Sequence, residues 1–250
     1  MGSFGGSAFS KFFKMVGERP VDAIVGLLSR QGVKPNMLTL VGLLLNVVAG
    51  VLLAMGFFLT AGILMIAAGA CDLLDGRVAR ASQQVTKFGA FLDSVIDRYS
   101  DVVLFLGIAI RYLLLGDFAI LMVALVAMIG SFMVSYTRAR GENVVPSCKV
   151  GFLERPERVV LLIVGALFDL MPPVLWMLAI LSHYTAAHRV YFVSQELKAL
   201  ESASPEAAAG SHFSKKPLSW FFFEFERGSW QYGLACVVIF FVLLLHLGIL

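Results

Sequence analysis

Uncharged apolar runs alternate along this chain with short polar stretches rich in Lys and Arg. Residues 37–59 pass without a charge, and about 20 apolar residues already cross the roughly 30 Å of hydrocarbon in a bilayer. The runs 60–71 and 102–115 are shorter. Each reaches crossing length only if its helix continues through carboxylates, Asp72 and Asp75 at the end of one, Asp93, Asp97 and Asp101 at the start of the other. Residues 118–136, 159–168 and 173–191 supply three more apolar runs, the second completed by a helix that begins near Pro156, a residue favoured in a first helical turn. Upstream, Phe9, Phe12, Phe13 and Val16 recur at helical spacing opposite Lys11 and Lys14, and Ile24, Val25 and Leu28 carry the stripe toward Pro35. That pattern predicts an interfacial amphipathic helix. Downstream, residues 194–216 show no core-forming pattern and read as a polar cytosolic linker. Residues 220–230 are rich in aromatics, as an interface anchor is, and 232–250 form a further apolar run.

The fold class that follows is an all-α integral membrane protein: a six-helix transmembrane bundle with an N-terminal interfacial helix and an extra C-terminal transmembrane helix. Its expected parts are an interfacial segment at 1–34, the bundle at 35–193, a linker at 194–228 and the additional helix at 229–250. Composition agrees, because 59% of the 250 residues are hydrophobic, beyond the half that is usual in soluble domains. The net charge of +3 is small, but 19 of the 20 Lys and Arg residues fall in alternate inter-span regions, leaving out Arg111. By the positive-inside rule this places the N-terminus and the aspartates in the cytoplasm of a multi-pass protein of the cell membrane. The bilayer is the expected surrounding, and no nucleic-acid partner is expected. Lys11 and Lys14 interrupt any apolar core of a signal peptide. Cys71, Cys148 and Cys236 have neither CxxC spacing nor partnering histidines, so they read as small apolar fillers and not as a disulfide or zinc framework.

The costly residues are the carboxylates. Asp72 and Asp75 are i,i+3 neighbours and Asp93 and Asp97 are i,i+4 neighbours, so each pair projects from one helix face. Two antiparallel helices joined by a short link at 81–88 bring both pairs to a similar depth. Four carboxylates would repel one another, and a cation is their natural complement. All-oxygen ligands favour Mg²⁺ or Mn²⁺ over zinc. Gly76 and Gly89 open space for another group to approach the backbone. Arg77 and Arg80 add positive charge beside the metal, which suits a phosphate-bearing ligand. The competing reading takes these acids as solvated helix ends; it suits the start of a helix but not the end of one, where the helix dipole disfavours acids. Asp101 reads equally as a partner of Arg98 or Arg111.

The run DxxDGxxARx8GxxxDxxxD, matched at Asp72, Asp75, Gly76, Ala79, Arg80, Gly89, Asp93 and Asp97, resembles the signature of the CDP-alcohol phosphatidyltransferases. The resemblance covers about residues 20–193 and implies a six-helix bundle, usually a homodimer, with the aspartates in a cytosol-facing cavity. It further implies that Asp72, Asp75, Asp93 and Asp97 surround one or two divalent ions that hold the diphosphate of CDP-diacylglycerol. Asp97, matching the last aspartate of the motif, would be the general base for the acceptor hydroxyl. Gly76, Ala79, Arg80, Thr86 and Gly89 would line the nucleotide, with Asn36 and Thr39 from the start of the first span. For the last two, a plain helix entry with Asn36 as cap is an equal alternative.

A second constellation lies at 135–158. If a helix begins near Pro156, Arg155 and Arg158 sit at its electropositive N-terminus beside unsatisfied backbone N–H groups, an anion site, and Arg138 and Arg140 approach from the preceding span. A neutral acceptor such as serine or glycerol does not require so many cations; a phosphorylated polyol does. The alternative takes them as ordinary positive-inside residues, partly neutralised by Glu142, Glu154 and Glu157. Together with the DRYSD run at 97–101, these segments are similar to the phosphatidylinositol phosphate synthase branch, which implies that Arg138, Arg155 and Arg158 hold the phosphate of inositol phosphate. Glycerol phosphate and free inositol are the alternative acceptors. An ion-coupled transporter is the remote alternative, disfavoured because neither inverted repeats nor broken midplane helices are visible. The residues beyond 194 have no counterpart in the usual six-helix pattern.

Overall fold

The computed structural model describes residues 22, 24–148 and 150–203. The aromatic stripe at residues 9–16, the linker beyond 203, the aromatic anchor and the apolar run 232–250 lie outside the described residues. The described part is helical, with no strand among its residues. After a helical stretch at 24–30 come α1 (Pro35–Met55), α2 (Phe58–Ala81), α3 (Lys87–Leu115), α4 (Phe118–Gly141), α5 (Arg155–Leu167) and α6 (Met171–Ala203). Three of them, α1, α2 and α4, are long and apolar enough to cross a membrane.

The two short apolar runs do continue through their acids. Helix α2 is unbroken past Asp72 and Asp75 to Ala81, and α3 runs from Lys87 through Asp93, Asp97 and Asp101 to Leu115. The first run differs from expectation, because α1 stops at Met55. Gly56 takes φ 89°, its N–H reaching Leu53 O and that of Phe57 reaching Leu52 O, a left-handed helix stop that glycine adopts without strain. Hydropathy cannot register that turn, so residues 37–59 read as one span although α2 has begun at Phe58. The helix entry is also different from a plain asparagine cap. Lys34 is the N-cap and makes no side-chain capping bond, while Pro35 opens the first turn and Asn36 lies within it. At the other end α6 runs ten residues past 193, since Gln195, Glu196, Leu197, Lys198, Ala199 and Leu200 all favour helix and Pro205 comes only after Ala203.

The described residues fall into two compact units. One comprises residues up to Leu121 with Ala166–Asp169. There α1 buries a stripe of Thr39, Gly42, Asn46, Ala49, Gly50 and Leu53, while Leu40, Leu44, Val48 and Val51 on its other side are exposed. Small residues inside and large aliphatics outside are what a lipid-facing helix needs, because packing between helices in hydrocarbon depends on close backbone approach. The closest approach is Gly50 against Val103 and Gly107 of α3: a Cβ on Gly50 would meet the Val103 carbonyl oxygen at 2.8 Å, and one on Gly107 would overlap the Gly50 carbonyl.

The other unit comprises Met122–Gly165 and the residues from Leu170 onward. Helix α4 buries Val123, Ala124, Ala127, Gly130, Ser131 and Val134. Gly130 leaves room for His183 of α6, whose Nδ1 would lie 2.7 Å from an added Cβ. The most buried large side chains of this unit include two arginines, Arg158 and Arg189, each 1% exposed.

Candidate active site

In the first unit, α2 and α3 bring Asp72, Asp75 and Asp93 together, each offering an oxygen within 4.8 Å of the others. Asp75 is buried and the other two are half-buried. Asp97, one turn further along α3, is not among the three. A hydroxyl from a third helix completes the centre: Thr39 Oγ1 of α1 donates to Asp75 Oδ2 at 2.6 Å. The donors are all oxygens, gathered at a spacing that one small ion can span, which fits a hard divalent cation such as Mg²⁺ or Mn²⁺.

Several residues expected at the nucleotide lie on or at the ends of the same three helices in this unit. Thr86 is the N-cap of α3, its Oγ1 accepting from the Gly89 N–H at 2.9 Å. A Cβ on Gly89 would stand 3.4 Å from Asn36 Oδ1, so the absent side chain lets the first turns of α1 and α3 come together. Gly76 lies under the exposed guanidinium of Arg80, whose Nη1 would be 3.7 Å from an added Cβ. Ala79 is half-buried beside it. Arg77 pairs instead with Asp22 at 3.5 Å.

In the second unit Arg155 opens α5, one residue before the start expected from sequence, and Arg158 lies in its first turn. Arg138 is already engaged by two acids, Nε with Glu142 Oε1 at 2.9 Å and Nη1 with Glu154 Oε1 at 2.8 Å. The partial neutralisation foreseen from sequence is therefore real for Arg138. Arg140 is exposed. Sequence reading missed Arg189. Its Nε donates to Val150 O at 2.8 Å, its Nη2 to Glu154 Oε1 at 3.1 Å and its Nη1 to Val134 O. Nothing in the local sequence distinguishes it from a positive-inside cation; a signal was available only in its place on the inward face of α6, four residues from Thr185. Cys148 is fully buried near it, and burial pushes its thiol up, out of the range of a reactive thiolate. That agrees with the filler reading for this cysteine.

The Thr39 bond has a measurable consequence. Thr39→Val keeps the shape and removes the donor to Asp75, and it is expected to weaken metal affinity about 10- to 100-fold, the usual loss when a ligand loses its orienting partner. Titration of Mn²⁺ against the purified variant checks this, and affinity equal to wild type would assign Thr39 to packing alone.

Apolar helices bearing a three-carboxylate cation centre define a membrane-embedded, metal-dependent protein. Comparison with known proteins sets it in a family: CDP-alcohol phosphatidyltransferase matches residues 33–191, and the chain belongs to that family. It is accordingly a membrane transferase of phospholipid biosynthesis that depends on a divalent metal. Among its relatives is the archaetidylinositol phosphate synthase of Pyrococcus horikoshii, 36% identical over 182 residues that cover 72% of this chain and 94% of that protein. Among solved structures it resembles the phosphatidylinositol phosphate synthase of Mycobacterium tuberculosis. With CDP-DAG bound, that structure matches at a TM-score of 0.65 and 28% identity, covering 78% of this chain and 100% of the other. In complex with manganese and citrate it matches at 0.65 and 27% identity, covering 79% and 96%. Family membership removes the transporter reading.

Proposed function

We propose that the protein transfers the phosphatidyl group of CDP-diacylglycerol to a hydroxyl of inositol phosphate and releases CMP. The observation that carries the reaction is the convergence of Asp72, Asp75 and Asp93, in a chain whose relative is solved with CDP-DAG and with manganese. A divalent ion held there neutralises the diphosphate and stabilises the charge that develops on the leaving CMP. Arg80 and the first turns of α1 and α3, with Asn36, Thr39, Thr86 and Gly89, line the nucleotide alongside Gly76 and Ala79. Asp97, one turn beyond Asp93, takes the proton of the acceptor hydroxyl as its oxygen bonds to the lipid-side phosphorus and the bond to CMP breaks. Asp97 also belongs to the metal set in this reading.

Arg138, Arg155 and Arg158 take the acceptor's phosphate. Support comes from the first turn of α5, which holds both Arg155 and Arg158 at a helix N-terminus, and from the names of the relatives. These differ in their lipid, archaetidyl in one and phosphatidyl in the other, but share inositol phosphate. The six helices crossing the bilayer, the cytoplasmic N-terminus and active site, an interfacial segment at 1–34, an additional C-terminal helix and a homodimer belong to the same proposal. The test is CMP release by purified protein with CDP-diacylglycerol and Mg²⁺, comparing inositol phosphate, free inositol and glycerol phosphate. Release with inositol phosphate well above the other two is expected; turnover with glycerol phosphate alone would sink the inositol assignment.

A further inference from the structure

Glu154 has no part in the reaction outlined above, yet its carboxylate is where three segments of the second unit meet. One oxygen, Oε1, accepts from Arg138 of α4 at 2.8 Å and from Arg189 of α6 at 3.1 Å. The backbone N–H of Glu154 donates to Glu157 Oε2 at 3.0 Å, and its carbonyl accepts from the Arg158 N–H at 3.2 Å. Glu154 is thus the residue from which α5 starts, with Arg155 directly after it. The approach to it is tied down as well: Val150 O accepts from Arg189 Nε at 2.8 Å, and the Leu153 N–H donates to Thr185 Oγ1 at 3.3 Å.

The electrostatics make the carboxylate the keystone of this arrangement. Arg189 is 1% exposed and the Glu154 side chain 20%, so water screens neither well, and a buried ion pair that loses one member leaves a costly charge behind. Two guanidiniums drawn to a single oxygen would repel each other once that oxygen belonged to a neutral group. The backbone they hold is the entry to α5, and a small shift there moves Arg155 and Arg158 together.

We propose that Glu154 is a positioning residue: by holding Arg138 and Arg189 at the start of α5 it sets the placement of Arg138, Arg155 and Arg158, without itself touching the substrate. This rests on the reading that those arginines take the acceptor's phosphate. Support from geometry is direct for the clamp and physical for its consequence, because phosphate recognition by guanidinium depends on orientation as well as charge.

The full chain carrying Glu154→Gln, Glu154→Asp, Arg189→Gln, the Glu154→Gln/Arg189→Gln pair or Arg155→Ala tests it. Glu154→Gln is expected to raise the KM for inositol phosphate about tenfold or more, as loss of an orienting partner does. The KM for CDP-diacylglycerol and kcat should stay within about threefold, the mark of lost binding at one substrate. Glu154→Asp should recover part of the loss. In thermal melting, the double variant should fall by less than the sum of the two single variants, since both remove the Glu154–Arg189 contact. Additive melting shifts, or a Glu154→Gln effect that is absent or equal on both substrates while Arg155→Ala remains selective for inositol phosphate, would overturn the positioning role alone. An Arg155→Ala effect without that selectivity would overturn the acceptor reading and the positioning role together.

Discussion

Asp75→Asn is expected to lower CMP release about 10³-fold, the kinetic equivalent of about 4 kcal/mol, while the protein still folds. Asp75 is the most enclosed of the three carboxylates at 7% exposure, and it is the one that Thr39 holds. Asparagine preserves its size and leaves an oxygen for the Thr39 hydroxyl, but removes the charge that binds the cation. Without divalent metal, the variant should melt no lower than wild type, because a neutral side chain relieves repulsion from Asp72 and Asp93. Adding Mn²⁺ should raise the melting temperature of wild type, since a ligand that binds only the native state stabilises it. The variant should show little of that rise. A variant that keeps both activity and the Mn²⁺-dependent shift would remove Asp75 from the centre.

Gly107→Leu is expected to be the most damaging change outside that centre. An added Cβ at this position overlaps the backbone carbonyl of Gly50, and Gly50 in turn has Val103 against it. No rotamer change relieves a clash with backbone, so α1 and α3 must part. Overpacking of a tight contact costs about 1–3 kcal/mol or more, and a branched side chain at a glycine-to-glycine crossing lies at the upper end. Because α1 supplies Thr39 and α3 supplies Asp93, separation should cost metal binding as well as stability. The neighbouring Leu106→Ala is the control, since Leu106 is 42% exposed; a surface change of that kind usually stays within about 0.5 kcal/mol. Melting temperature and the yield of monodisperse protein read both, and equal behaviour of the two variants would contradict the close crossing.

What could be read from sequence was whatever length and periodicity control. Residues 60–71 and 102–115 are too short to cross a bilayer, so their helices had to include the aspartates, and α2 and α3 do so. Of the four carboxylates expected together from i,i+3 and i,i+4 spacing on facing helices, Asp72, Asp75 and Asp93 converge, and Asp97 is not in that group. The turn at Gly56 was invisible because it lies inside a continuous apolar run and depends on one dihedral angle. The Thr39 bond to Asp75 links residues 36 apart in sequence, a pairing that only the packing of α1 on α2 creates. Arg189 was concealed for a different reason: it looks like an ordinary positive-inside charge, and Glu154 was foreseen only as a neutraliser of arginines such as Arg138, whereas the importance of both comes from burial around one shared oxygen. The ten extra residues of α6 show the opposite error, polarity taken for a linker where helix-forming residues simply continued the helix.

The most direct test of the central claim is CMP release from CDP-diacylglycerol and inositol phosphate by purified full-length protein. Divalent metal would first be stripped by chelation and then returned as Mg²⁺ or Mn²⁺. The carboxylate centre predicts that release stops on stripping and returns with either ion in wild type, while in Asp75→Asn neither ion restores it. Undiminished release in the presence of excess chelator would contradict the account.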